Sequence, residues 1–358
     1  MKTLILGDIS PTKTTSPFYE KEDYETLFND TLDLFKGRDV IFANLECAIT
    51  DHDEPIKKFG PPLKSPYKTA KILKELGIQY VSLSNNHVFD FGIKGIKDTI
   101  DALTNYGIKY TGFGSSYEDS RKNLIIEKNG EKIAFISVCE HEYSYALSDR
   151  MGSRPFDIYD TLDDIKEAKN DCDRVIVTYH GGKEECRYPS PRLLKVCRAM
   201  AKAGADVVLC QHSHCIGCYE EYEGCHILYG QGNFNFVKPE LLPSHKIPFW
   251  ETAFSVSYDT VSHKIEFIPT VTLKNGITLA KGEKKETILK EFEERNKEII
   301  NGKWKKGWHD FCESKREEYT NVITGGDLNH FAHYLDCEAH TDVWRELFPT
   351  WNQTNERK

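Results

Sequence analysis

Short apolar runs that end in polar clusters recur along the chain, and their spacing predicts strands alternating with amphipathic helices. Residues 3–6 read as a strand ending in Gly7-Asp8, and 39–46 as a second, closing on Asn44-Leu45-Glu46. Residues 11–19, rich in Pro, Ser and Thr, predict a loop, and 24–35 a helix. A Pro/Gly/Lys stretch at 55–66 is long enough for a rim or lid. A helix over 67–76 stops at Gly77, then a strand at 79–83 runs into Ser84-Asn85-Asn86-His87, a helix over 93–106 and a strand at 108–111. Asn129-Gly130 between 123–127 and 132–138 is a hairpin signal. The polar segment 139–154 predicts an exposed loop near the site, with His141 and Glu142 given no role.

The second half repeats the theme. A helix over 161–170 precedes a strand at 174–179, which ends in His180-Gly181-Gly182-Lys183-Glu184. A helix over 191–203 leads through Gly204 to an apolar run that ends in His212-Ser213-His214. In an extended chain residues i and i+2 face the same way, so these two imidazoles are expected side by side. A strand at 227–230 runs into Gly232-Asn233-Phe234, and 239–248 predicts a loop. Residues 252–258 and 264–270 predict a closing hairpin. After Asn275-Gly276 the pattern becomes charged and helical, with Trp304, Trp308, Trp344 and Trp351 in a tail expected to fold back on the core. The expected division is a domain over 1–272 and a mainly helical extension over 273–358.

Five runs therefore end in potential ligands: Asp8, Glu46, Asn86-His87, His180 and His212/His214. Several have a bland reading as well: Asp8 as a turn residue or cap, Glu46 as a solvated carboxylate, and the histidine pair as an exposed polar loop; Asp90 reads as the cap of the next helix or the group that orients His87. Mixed Asp, Glu, Asn and His donors suit zinc, manganese, iron(II) or magnesium, and the set is large enough for one or two divalent ions bridged by a carboxylate. Such ions lower the pKa of bound water towards about 7 and make it the nucleophile. His87 would be spare to donate a proton to a leaving group. Lys183, Arg187 and Arg192 form a modest cationic cluster near the fourth run, with Arg192 read as a solvated helix start.

Composition narrows the classes. The 358 residues are 39% hydrophobic and 29% charged, as in a soluble globular chain. The net charge of −9 argues against a nucleic-acid surface. The opening apolar run is too short for a signal segment, and no stretch reaches the roughly 18 apolar residues of a membrane span, so a cytoplasmic location is expected. Eleven cysteines suit reduced thiols. Cys215 and Cys218 have C-x-x-C spacing without a second such pair, a minor candidate for a zinc or redox site.

The order Gly7-Asp8, Asn44-Leu45-Glu46, Asn85-Asn86-His87-x-x-Asp90-x-Gly92, His180-x-Gly182-x-Glu184, Gly204-Ala205-Asp206 running to His212-x-His214, and Gly232-Asn233-Phe234 resembles the CapA family of poly-γ-glutamate capsule biosynthesis, over about residues 1–272. The resemblance implies a calcineurin-like metallophosphatase-related fold, a four-layer αββα sandwich of two mixed β-sheets. It implies Asp8 and His214 on one ion, Asn86, His180 and His212 on another, Glu46 bridging, and His87 as proton donor oriented by Asp90. Asn44, Asn85, Lys183, Glu184, Arg187 and Asn233 are the expected substrate contacts or supports. Ser10 stands where the wider metallophosphatase pattern has a histidine, and Gly181 where relatives often carry an aromatic residue. The implied function is divalent-metal-dependent hydrolysis of a γ-glutamyl amide or a related anionic substrate, with capsule-synthesis proteins as partners. The alternatives are a phosphoesterase, or a non-catalytic polymer-binding component of capsule assembly.

Overall fold

The computed structural model describes residues 1–238 and 249–349; the predicted loop at 239–248 and Trp351 lie outside them. Two mixed sheets pack face to face. The first runs in the order Ile277–Leu279, Lys264–Thr272, Thr252–Asp259, Lys2–Ile9, Val40–Leu45, Tyr80–Ser82 and Lys109–Thr111, with Asn233–Asn235 also paired to Lys2–Ile9. The second runs Tyr219–Tyr222, Cys225–Leu228, Val207–Gln211, Arg174–His180, Glu131–Cys139 and Leu124–Lys128. Between them Ile5, Phe42 and Val256 meet Phe135, Ile176 and Leu209, and the rings of Phe42 and Phe135 stack at 4.3 Å. Strands such as Val40–Leu45 and Val207–Gln211 are buried along their whole length. That is why they read as continuous apolar runs rather than alternations.

Helices cover both outer faces. Ile72, Leu73, Ile96 and Leu103, from Lys68–Glu75 and Gly92–Asn105, pack on Leu4, Leu6, Ile41 and Val81 of the first sheet. Ile165, Val196 and Met200, from Ile158–Asp171 and Pro191–Ala203, cover Val175, Val177 and Val208 of the second. The expected αββα sandwich is therefore present. The tail forms helices Gly282–Asn301, Trp304–Ser314, Arg316–Thr324, Leu328–Asp336 and Glu338–Leu347, and Trp304, Trp308, Tyr319, Tyr334 and Val343 enter the second outer layer.

Several local expectations change. The segment expected as a loop at 11–19 contains the helix Ser16–Lys21, whose proline sits in the first turn, where its missing N–H costs nothing. The helix expected over 24–35 is split into Tyr24–Phe28 and a 3₁₀ stretch Asn29–Phe35, with Asn29 left-handed at φ 44°. The break lets Asp30 accept from Thr278 Oγ1 and Leu279 N, both at 2.8 Å, which ties it to the sheet edge. The segment 139–154 is not an exposed loop: Glu140, Ser144, Ser153 and Arg154 are buried, and Arg154 pairs with Asp164 at 2.5 Å. The first sheet also continues past residue 272, through Ile277–Leu279.

The central strands of both sheets end at one edge. Register places Asp8 opposite Asn44 on one neighbour and Asn233 on the other, while His180 lies opposite Cys139 and Gln211. The Asn233 side approaches closely because Gly7 has no side chain; a Cβ there would sit 2.0 Å from Gly232 O. Carboxyl ends of parallel strands gather polar groups in this way in open α/β sheets.

Candidate metal centre

Asp8, Glu46, His180, His212 and His214 converge at that edge, and all five are buried. Ligand atoms of Glu46, His180 and His212 lie within 4.8 Å of one another, as do those of Asp8, Glu46 and His214. His180 Nε2 is 2.9 Å from Asn86 Oδ1 and 3.5 Å from Glu46 Oε1. Donors at about 2.0–2.2 Å from one ion stand roughly 3 Å apart, so this spacing fits a shared cation. Both oxygens of Glu46 are buried, and neither has a hydrogen-bond partner among the described residues. An uncompensated carboxylate in such a place costs several kcal/mol, and a divalent cation removes that cost. The residues present therefore fit the metal chemistry expected of them.

The electrostatics agree. Burial, then the charge of Glu46, pushes Asp8 up to about 7. Burial drives Glu46 well above the usual carboxylate range. Burial also holds His180 near 4 and His214 near 3, and lowers His212, so the imidazoles are neutral, as metal ligands need to be.

The histidine pair converges by a different backbone route from the extended one expected. The strand ends at Gln211, and His212 and His214 both take left-handed conformations, φ 77° and 54°. Their rings still lie 5.9 Å apart. Non-glycine residues held there carry strain on the order of 1–3 kcal/mol each, a recurrent feature of functional sites.

Around the donors, a polar lattice fixes orientation. Asn44 Nδ2 donates to Asp8 Oδ1 at 2.8 Å. Asn85 donates to Asn44 Oδ1 and Leu45 O, while its own Oδ1 accepts from the backbone of His87 and Val88. Both asparagines are fully buried beneath the donors. Asn233 Oδ1 lies 2.8 Å from His214 Nδ1. Ser10 is buried, and its hydroxyl has no partner among the described residues.

His87 stands beside the donors. Its Nδ1 is 2.7 Å from Asp90 Oδ2, so Nδ1 carries the proton and Nε2 presents a lone pair. Burial, then the charge of Lys58, lowers its pKa to about 4. Asp90 is occupied by His87, by Lys58 Nζ at 2.6 Å and by Leu63 N at 2.7 Å, and the next helix has no side-chain cap. Asp90 thus contacts His87 rather than capping the next helix.

A cavity of about 310 Å³ opens above, lined among others by Asn86, His87, Lys183, Glu184, His212 and His214. Glu184 is 43% exposed, with Oε1 3.9 Å from His214 Nε2, and its carboxylate also lies within 4.8 Å of a His212 nitrogen. That makes it a candidate donor as well as a substrate contact. Arg187 is not brought here. Its guanidinium pairs with Glu291 at 3.1 Å and stacks on Phe249 over a separate cleft. Arg187→Ala should leave KM within about twofold, measured by steady-state kinetics, because the pair it removes is a partly exposed one.

Sequence reasoning missed Lys58 and Glu142. Lys58 donates to Asp90 and to Asn86 O, and Glu142 accepts from Asn86 Nδ2. The rim-like loop at 55–66 hinted at the first; only tertiary structure brings in the second. The eleven cysteines are buried free thiols, and the cation-sized clusters found among the described residues contain no cysteine. Among the described residues, no helix is long and apolar enough to cross a membrane.

Comparison with known proteins agrees with these motifs. Residues 2–238 match the family model described as bacterial capsule synthesis protein PGA_cap. The chain is 29% identical over 238 residues to the PGA biosynthesis protein CapA of Bacillus subtilis (strain 168), covering 64% of this chain and 62% of that protein. It is 28% identical over 241 residues to the capsule biosynthesis protein CapA of Bacillus anthracis, covering 65% and 59%. The chain thus spans about three fifths of the length of these relatives. A solved hypothetical protein from Thermus thermophilus aligns with 78% of this chain and 100% of its own, at TM-score 0.48 and 15% identity. The match over residues 2–238, more than half of the chain, shows that this protein belongs to the PGA_cap family of bacterial capsule synthesis proteins.

Proposed function

We propose that this protein is a divalent-metal-dependent hydrolase of the poly-γ-glutamate pathway that acts on a γ-glutamyl amide or a closely related anionic substrate. The observation that carries the reading is Glu46, fully buried with two unpartnered oxygens between three histidines and Asp8. Asp8, Glu46, Asn86, His180, His212 and His214 would hold one or two ions of zinc, manganese, iron(II) or magnesium. When bound, such ions acidify water and stabilise charge that develops on a substrate oxygen.

The chain's own residues supply the rest. Lys183 would bind a substrate carboxylate, and Asn233 holds His214 in place. His87 is neutral, with Nε2 free to accept a proton; it would take one from the attacking water as that oxygen bonds to the amide carbon and give it to the nitrogen as the C–N bond breaks, while Asp90 stabilises the charged ring. Lys58 pairs with Asp90, and its charge limits how basic His87 becomes.

Purified protein supplied with manganese or zinc should cleave γ-glutamyl oligomers faster than aryl phosphates. The reverse order replaces this reading with a phosphoesterase, and turnover of neither leaves the polymer-binding reading. His87→Gln should lower kcat by about a hundredfold while metal content stays at the wild-type level. A variant as fast as the parent would remove His87 from proton transfer.

A further inference from the structure

The cavity above the metal centre is roofed by residues from beyond the matched family region. His330, His333 and Tyr334 from Leu328–Asp336, Glu318 from the preceding helix, and Cys337 and His340 complete its wall. The roof meets the rim loop directly: the Phe59 ring stacks on His330 at 4.6 Å and on His333 at 5.6 Å, and Tyr143 stacks on His333 at 5.0 Å. His333 Nε2 also stands 3.6 Å from Glu142 Oε1.

The roof is anchored. Asp342 accepts from Ser190 Oγ at 2.6 Å and from Arg192 Nε at 2.8 Å, and Glu338 accepts from His141 N at 3.0 Å. Lys315 pairs with Glu185 at 3.2 Å. Trp308, Tyr319 and Val343 are embedded in the same core as Tyr179 and Val196. Removing that apolar surface from water holds the helices down far more firmly than the polar ties alone.

We infer that the C-terminal helices, acting through the His330–His333–Phe59 wall, are a length selector that admits a small anion or the end of an anionic chain and rejects internal segments of a polymer. The inference rests on the anionic substrate of the proposed function and adds the part of that substrate the site takes. An internal segment has to enter and leave the site, which needs an open groove with two exits. Here one side of the opening is closed by the rim loop stacked on the tail helix. The remaining volume, about 310 Å³, lies at the small end of the roughly 300–1,000 Å³ typical of small-molecule pockets. The wall is of stacked imidazole and phenyl rings, and Tyr334 backs His330 edge-on at 4.8 Å.

The test uses the full chain with His330 and His333 both replaced by alanine, and Phe59→Ala as a second variant. Fluorescently end-labelled γ-glutamyl oligomers of two to four units, and the same label placed mid-chain in a long polymer, are bound to metal-free and manganese-loaded protein and followed by anisotropy. The parent should bind the short oligomers at least tenfold more tightly than the mid-chain probe, and both variants should narrow that ratio severalfold. Equal affinity of the parent for both probes, or binding of neither, overturns the inference. Because the readout is binding, a protein that selects short chains without cleaving them keeps the length selector and loses only the hydrolase reading. Internal cleavage of polymer by the parent would keep the hydrolase and remove the selector.

Discussion

Glu46→Gln should strip the protein of bound divalent metal and cut turnover by at least about a thousandfold. The carboxylate is the shared member of two donor groups, one with His180 and His212 and one with Asp8 and His214. An amide keeps the shape and removes the charge, so two neighbourhoods weaken at once. Losing a single well-placed electrostatic stabiliser costs about a hundredfold to a thousandfold in many enzymes, and here the same change also loosens the group that supplies the chemistry. Elemental analysis after gel filtration, beside kcat/KM, reads both effects. A variant that retains the parent's metal content and rate would show that Glu46 bridges nothing.

Stability of the metal-free protein should peak near pH 6.5 and fall towards pH 8, and a saturating divalent ion should abolish the fall. The sign follows from two opposed groups. His180 and His214 are held near 4 and 3, and His87 near 4, against about 6.5 in the unfolded chain. From about pH 4 to 6.5 the unfolded state binds more protons at these rings, so stability rises with pH. Asp8 and Glu46 act the other way: burial raises Asp8 to about 7 and Glu46 well above the usual carboxylate range, so the folded state keeps protons the unfolded chain has lost above about 4. Below 6.5 the rings outnumber the carboxyls. Above it only the carboxyls still differ, and a carboxyl held at about 7 loses about 1 kcal/mol between pH 6.5 and 8. A cation that holds both as anions removes this loss and adds about 4 kcal/mol at a thousandfold excess over its Kd. Thermal melts across pH, with and without manganese, check it; a metal-free curve flat from 6.5 to 8 would contradict the raised carboxyl pKa values.

Much of the sandwich was legible because buried parallel strands announce themselves as apolar runs, and because each run here stops at a polar cluster. Asp8, Glu46, His180 and the histidine pair were found that way. Their backbone was not: nothing in Gln211-His212-Ser213-His214 distinguishes an extended pair from one bent into left-handed turns. Arg187 looked like a substrate contact because it is near Lys183 in sequence, yet Glu291, over a hundred residues away, captures it. Glu142 was noticed but carried no role for the complementary reason, since its contact depends on Asn86 arriving from another sheet. The tail's helices were readable from their pattern, but their place over the cavity was not, because local spacing carries no information about which distant surface a helix covers.

The twisted backbone under the histidine pair carries one further consequence. Glycine adopts φ 77° or 54° without penalty, so His212→Gly and His214→Gly should unfold about as late as the metal-free parent, or later, while being inert. Breeding this chain for heat resistance without assaying its chemistry would therefore select against the very positions that define it. Durability and purpose pull in opposite directions at two adjacent turns of one loop.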